Sequence, residues 1–188
     1  CLSPTDVTLL GSTIDDAAGE AFDKVASILH LGYPGGPIVD RIAREGNPKA
    51  VALPRTLLRG QSLDFSFSGL KTAVLRHVES RQILDTAAIC AIAAGFQESV
   101  VTVLTEKLFA AARRMACRHV AVVGGVAANR RLRERVMETA GREGLRVHIP
   151  DVSLCGDNAA MIAAAGCHLA GAGRFSPLEA DVFSRTPA

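Results

Sequence analysis

Apolar and polar positions recur along this chain with two different periods, and the switches between them lay out its elements. Val7–Gly11 is a short aliphatic and β-branched run that reads as a strand. In Ala17–Leu29 the apolar residues Ala21, Phe22, Val25, Ile28 and Leu29 fall at helical spacing, after Asp15 and Asp16, whose charges suit the free N–H groups of a helix start. Gly32-Tyr33-Pro34-Gly35-Gly36-Pro37 reads as the turn that ends this helix, and Ile38–Arg44 as a second short one. Leu63–Phe67 alternates apolar with polar, the mark of a half-buried strand, and Ser68 is a natural N-cap for a helix over Leu70–Glu79.

The longest helical tract is Leu84–Met115, interrupted or bent near Gly95. Val120–Val123 is continuously apolar, as in strands buried on both faces. It runs through Gly124-Gly125 into a helix over Asn129–Ala140. A strand over Arg146–Ile149 and a helix over Asn158–Leu169 follow, and no element is evident after Gly171. Strands alternating with helices predict an α/β sheet. With no repeat, low-complexity tract or interior linker, residues 1–188 read as one piece.

Composition narrows the class without naming a function. Hydrophobic residues are 48% and charged residues 21% of the 188, an ordinary globular balance. A net charge of +2 neither requires nor excludes a nucleic acid, and 4% aromatics without Trp offer no obvious base-stacking platform. The five cysteines form no CxxC pair; Cys90 and Cys167 lie in Ala-rich helical stretches and are expected as small buried hydrophobes. This usage predicts a reducing, cytoplasmic setting. Neither a signal peptide nor an apolar run of transmembrane length is expected. The chain opens on Cys1 and enters a strand at once, as though cut from something longer.

Candidate chemistry gathers at three places. The Val120–Val123 strand ending in paired glycines before a helix lets a ligand approach the main chain at the strand's carboxyl end, though a bare tight turn has the same sequence. Asn129, read as one turn into the helix, can cap, face solvent, or meet a ribose or base edge. In the first helix, Asp23 is either a solvated side chain or part of a site with Gly35-Gly36, where a sugar or purine could pack on the backbone. Asp40 lies one helical turn beyond Gly36 and could reach the same pocket. Asp157 either caps the following helix or offers one carboxylate to a cation. The five histidines show no His-x-x-x-His spacing, and Cys117 with His119 is poor ligand geometry, so the chain cannot complete a metal site. Lys71 in a first helical turn opposes the dipole and mildly favours an external anion. Arg130, Arg131, Arg133 and Arg135 read as salt-laced exposed surface.

Taken together, these runs resemble the universal tRNA threonylcarbamoyl-adenosine synthase family. The resemblance is carried by Ile14–Lys24, Tyr33–Pro37, Asp64–Thr72, Gly124–Arg130 and Asp157-Asn158 before a Met-Ile-Ala helix, in family order from Leu10 to about Gly166. It implies an actin-like, sugar-kinase-like (ASKHA) fold of two α/β lobes with a nucleotide in the cleft, this chain being mainly the second lobe with the first missing. It also implies transfer of a threonylcarbamoyl group from threonylcarbamoyl-AMP to the exocyclic amine of the adenosine beside the anticodon, in tRNAs reading codons that begin with A. Matched by position, Asp23, Gly36, Asp40 and Asn129 would bind the adenylate. Asp157 would be one ligand of a divalent metal, iron or zinc, one per full-length subunit. The family's two histidine ligands and its phosphate-holding main-chain turn belong to the first lobe, so the isolated chain is expected to be inactive. The implied partners are tRNA and accessory proteins, including a paralogous subunit and an ATPase, with no membrane. Two rivals remain: a kinase of the same fold and a non-catalytic partner subunit.

Overall fold

The first helices of the chain form because amphipathic segments share their apolar stripes in one core. The computed structural model describes residues 3, 5–55, 62–81 and 83–181. In these, α1 (Ala18–Ile28), α2 (Gly35–Ala43), α3 (Ser68–Glu79) and α4 (Thr86–Arg114) precede β1 (His119–Ala121), α5 (Arg130–Glu143), β2 (Arg146–His148) and α6 (Ala159–Gly171). The strands pair in parallel, Val120 opposite Val147, with α5 as their crossover. The class is α/β, as expected, with a two-stranded sheet.

By its internal contacts the chain divides into two compact units, Leu10–Gly156 and a second made of Cys1–Leu9 with Asp157–Ala188. The larger unit is built round α4. Phe22 of α1 and Phe96 of α4 meet edge to face, ring centroids 5.1 Å apart at 79°, and Val25, Val39, Val74 and Ile92 complete a dry core. A second cluster under the sheet joins Val101 and Phe109 to Leu132, Val136 and Ala140 of α5. In the smaller unit α6 is an Ala-rich helix whose side chains are exposed, Ile162 and Met161 among them.

Several expectations are corrected. Val7–Gly11 forms no strand, having no ladder partner among the described residues. Leu63–Phe67 keeps its alternation, with Leu63 and Phe67 buried, but among the described residues it pairs only through one parallel bridge, Thr13 with Phe65. α4 runs unbroken through Gly95, which is there for closeness: a Cβ would stand 3.0 Å from the Val51 carbonyl oxygen. β1 buries Val120 alone, and Val123 is exposed, since a two-stranded sheet covers one face. Cys90 is buried as expected but Cys167 is exposed on α6. Among the described residues one helix, Thr86–Arg114, is in fact long and apolar enough to cross a membrane; 67% of its apolar window is buried in the fold, as befits a central core helix.

Two segments far apart in sequence lock the start of α3. Ser68 is its first residue rather than its cap, and the carboxylate of Asp15 takes the cap's place. Asp15 accepts from the Phe67 N–H (2.8 Å) and from the hydroxyls of Ser66 (2.5 Å) and Ser68 (2.8 Å). Reciprocally, Asp64 accepts from the Ser12 N–H at 3.0 Å. Partial desolvation pushes the Asp15 carboxyl up, but the bonds from Ser66, Phe67 and Ser68 outweigh it and hold it down at about 2. Asp64 is likewise lowered, by the Ser12 N–H and the Ser62 hydroxyl.

Candidate functional site

Helix α2 begins earlier than its sequence suggests. Gly35, Gly36 and Pro37 form its first turn, where proline's missing N–H costs nothing. Its own N-cap residue, Pro34, has no side chain to offer, and Asp23 of α1 supplies the acceptor instead, taking the Gly35 N–H at 2.7 Å. Asp23 is therefore neither idle nor a solvated surface charge; it clamps α1 to α2. The two glycines serve opposite ends. A Cβ on Gly35 would lie 2.7 Å from the Phe22 carbonyl oxygen and the Ala26 Cβ, so Gly35 lets the helices touch. A Cβ on Gly36 would meet nothing within 4 Å, because Gly36 faces open space.

That space is a cavity of about 670 Å³ between α1, α2 and the turn that leads into α5. Asp23, Gly36, Asp40 and Asn129 all line it, so four of the five residues singled out from sequence share one wall system. Asp40 is 8% exposed, with Oδ2 on the Arg44 guanidinium at 3.0 Å. Its Oδ1 is buried without a hydrogen-bond partner among the described residues, a costly state for a carboxylate oxygen. Arg44 lines the cavity too and is not evident as a site residue from sequence, although its i,i+4 spacing from Asp40 is a usable signal.

The opposite wall is a short turn. Gly124 sits at φ 85°, in the left-handed region that favours glycine, and releases the chain into the 3₁₀ turn Gly125–Ala128. Asn129 is the N-cap of α5 and not a residue one turn inside it. Its Oδ1 accepts from the Leu132 N–H at 2.9 Å, and its Nδ2 donates to Gln97 Oε1 of α4 at 2.8 Å. Arg133 braces the same turn, donating to the carbonyls of Ala127 (2.6 Å) and Pro150 (2.7 Å) and to Cys155 Sγ (3.1 Å). The arginine run is thus mostly not free surface. Arg131 and Arg135 both reach Glu98 of α4 at 2.9 Å, while Arg130 pairs with Glu134, which Arg131 also approaches at 3.8 Å.

Asp157 belongs to the smaller unit and is exposed just ahead of α6. It is not the cap: Asn158 is, accepting from the Met161 N–H at 2.9 Å. Among the described residues no group of three or more His, Cys, Asp and Glu could hold a metal ion, so this chain's residues do not by themselves fit one. The parallel strands do bring His119 Nδ1 within 3.0 Å of His148 Nε2, an exposed pair that no sequence spacing announces. Lys71 lies in the first turn of α3 and does not line the cavity.

With this geometry in view, comparison with known proteins is specific. The family model described as TsaD, tRNA N6-adenosine threonylcarbamoyltransferase, matches residues 2–164. Proteins named tRNA N6-adenosine threonylcarbamoyltransferase are similar to the chain in several bacteria. That of Anaeromyxobacter dehalogenans is 52% identical over 164 residues, covering 87% of this chain and 49% of the relative. That of Desulforapulum autotrophicum is 50% identical over 178 residues, covering 95% and 54%, and that of Thermotoga neapolitana 51% identical over 170, covering 90% and 51%. The chain spans about half the length of the curated relatives it matches.

Proposed function

Since the chain belongs to the tRNA N6-adenosine threonylcarbamoyltransferase family, we propose that its cavity holds the adenylate part of threonylcarbamoyl-AMP in a longer tRNA-modifying enzyme. The observation that carries this reading is the gathering of Asp23, Gly36, Asp40 and Asn129 round one cavity. Its volume lies within the roughly 300–1,000 Å³ typical of small-molecule sites. Asp40 lines the cavity as a carboxylate acceptor, suited to a neutral donor such as a ribose hydroxyl. Gly36 leaves room for a ring to lie against the main chain. The turn from Gly124 to Asn129 supplies main-chain and amide groups on the far side.

In the reaction so read, the adenosine amine attacks the carbamoyl carbon and AMP departs. This chain's residues bind and orient the leaving nucleotide, and none of them has to act as a covalent nucleophile. The chain corresponds to the second lobe of an actin-like fold, acting in the cytoplasm with tRNA and accessory proteins, among them a paralogous subunit and an ATPase. Asp157 is one carboxylate ligand of an iron or zinc ion whose histidine ligands lie outside this sequence.

The test separates binding from turnover. The 188-residue chain should bind threonylcarbamoyl-AMP, and AMP more weakly, by calorimetry, yet form no modified tRNA alone. At Gly36 an added Cβ meets nothing within 4 Å, so Gly36→Val should abolish binding by filling the cavity while leaving the melting temperature within a few degrees. Failure of the unmodified chain to bind either nucleotide defeats the adenylate reading, and turnover by the chain alone defeats the half-site reading.

A further inference from the structure

The proposed nucleotide site has Asn129 on its wall, yet an asparagine at a helix start is free to rotate its amide unless something fixes it. Two bonds do so here. The Leu132 N–H fixes the oxygen, and Gln97 Oε1 takes one of the two amide hydrogens, leaving the other and one oxygen lone pair unassigned by either bond. Gln97 is 5% exposed, on a helix that buries Ile92, Ala93, Phe96, Val100 and Val101 beside it, along with Ser99, Thr102, Thr105 and Lys107. A polar amide there is costly unless it is used, and among the described residues its oxygen is used on Asn129. On the outer side of the same helical turn, Glu98 ties down Arg131 and Arg135, so α4 grips the start of α5 at two adjacent residues. Gln97 itself does not line the cavity.

We infer that Gln97 is a positioning residue for the nucleotide: it holds the amide of Asn129 in the orientation that meets the ligand, without touching the ligand. This rests on the adenylate reading of the cavity. The acceptor oxygen of Gln97 is the atom engaged, which makes the inference selective. Glutamate keeps an acceptor in the same place, whereas leucine keeps the bulk and loses it. A role in packing alone would rank the two the other way, because leucine suits an apolar helix face and a buried carboxylate does not.

The experiment compares AMP binding by the 188-residue chain with Gln97→Leu, Gln97→Glu and Asn129→Ser, the last keeping a cap oxygen while removing the amide donor. Side-chain amide resonances of Asn129 are followed in parallel by NMR, with melting temperature as the check on folding. Gln97→Leu is expected to weaken AMP binding about tenfold, and Gln97→Glu to stay within about threefold of the unmodified chain. Gln97→Leu should also move the Asn129 side-chain amide pair and speed its exchange with solvent. If the unmodified chain binds no AMP, the adenylate reading fails and this inference with it. If Asn129→Ser weakens binding but Gln97→Leu does not, the adenylate reading stands and the role given to Gln97 is overturned. That role is equally overturned if leucine binds better than glutamate, or if leucine leaves the Asn129 amide unmoved.

Discussion

Helices α5 and α6 begin alike and live in different surroundings. Each has an asparagine N-cap whose Oδ1 accepts the N–H three residues on at 2.9 Å, Asn129 from Leu132 and Asn158 from Met161. Asn129 is 8% exposed, with a second bond to Gln97 and a helix beneath it that buries Leu132, Val136 and Ala140. Around Asn158, α6 buries no side chain. The cap itself therefore carries no functional information. What marks the start of α5 is a packed helix beneath it, the brace from Arg133 and the cavity on its open side.

The largest expected difference between the two helices is in packing. Leu132→Ala should cost about 3 kcal/mol by denaturant unfolding, because an enclosed side chain is lost, whereas Ile162→Ala should stay within about 0.5 kcal/mol. Equal costs would mean that α6 is as well packed as α5. Next come the caps. Asn129→Ala should cost about 2 kcal/mol, since it removes a cap and strands the Gln97 oxygen, against at most about 1 kcal/mol for Asn158→Ala. A larger loss at Asn158 would reverse the ranking of the two starts.

A third helix start gives the smallest and most pH-dependent effect. α3 is capped by the remote Asp15, held at about 2 against an ordinary 3.8. Because the folded carboxyl binds its proton less readily than the unfolded one, its contribution is present above about pH 4 and fades as the pH falls toward 2. Asp64 acts in the same direction. Both groups are open to solvent, which keeps the effect small. Asp15→Asn should lower stability at neutral pH and flatten the decline in acid-unfolding curves between pH 4 and 2; an unchanged slope would detach Asp15 from the α3 cap.

Helices are legible in the sequence where apolar spacing is strong: α1, α3 and α5 lie within a few residues of their sequence boundaries. Strands are overread, since Val7–Gly11 and Leu63–Phe67 have strand composition but composition cannot supply a neighbouring strand to pair with. Gly35-Gly36-Pro37 looks like a turn because glycine and proline punctuate chains, yet Pro37 is tolerated in a first turn and the helix simply starts there. Asp23, Gly36, Asp40 and Asn129 stand out in the sequence, but their common cavity does not follow from spacing, since it depends on how α1 packs on α2 and where the Gly124 turn ends. The roles of Gln97 and Arg133 are hidden because each acts through atoms distant in sequence. A polar residue on the buried side of a long apolar helix is the hint that the sequence does hold.

The central claim is that this cavity is a nucleotide site, and mapping amide shifts in a ¹⁵N–¹H spectrum of the 188-residue chain during AMP titration tests it most directly. Saturable shifts concentrated at Gly36, Asp40, Gly125 and Asn129 are predicted, with α3 unaffected. Saturation with shifts centred elsewhere, or no saturable shift at millimolar AMP, would contradict it.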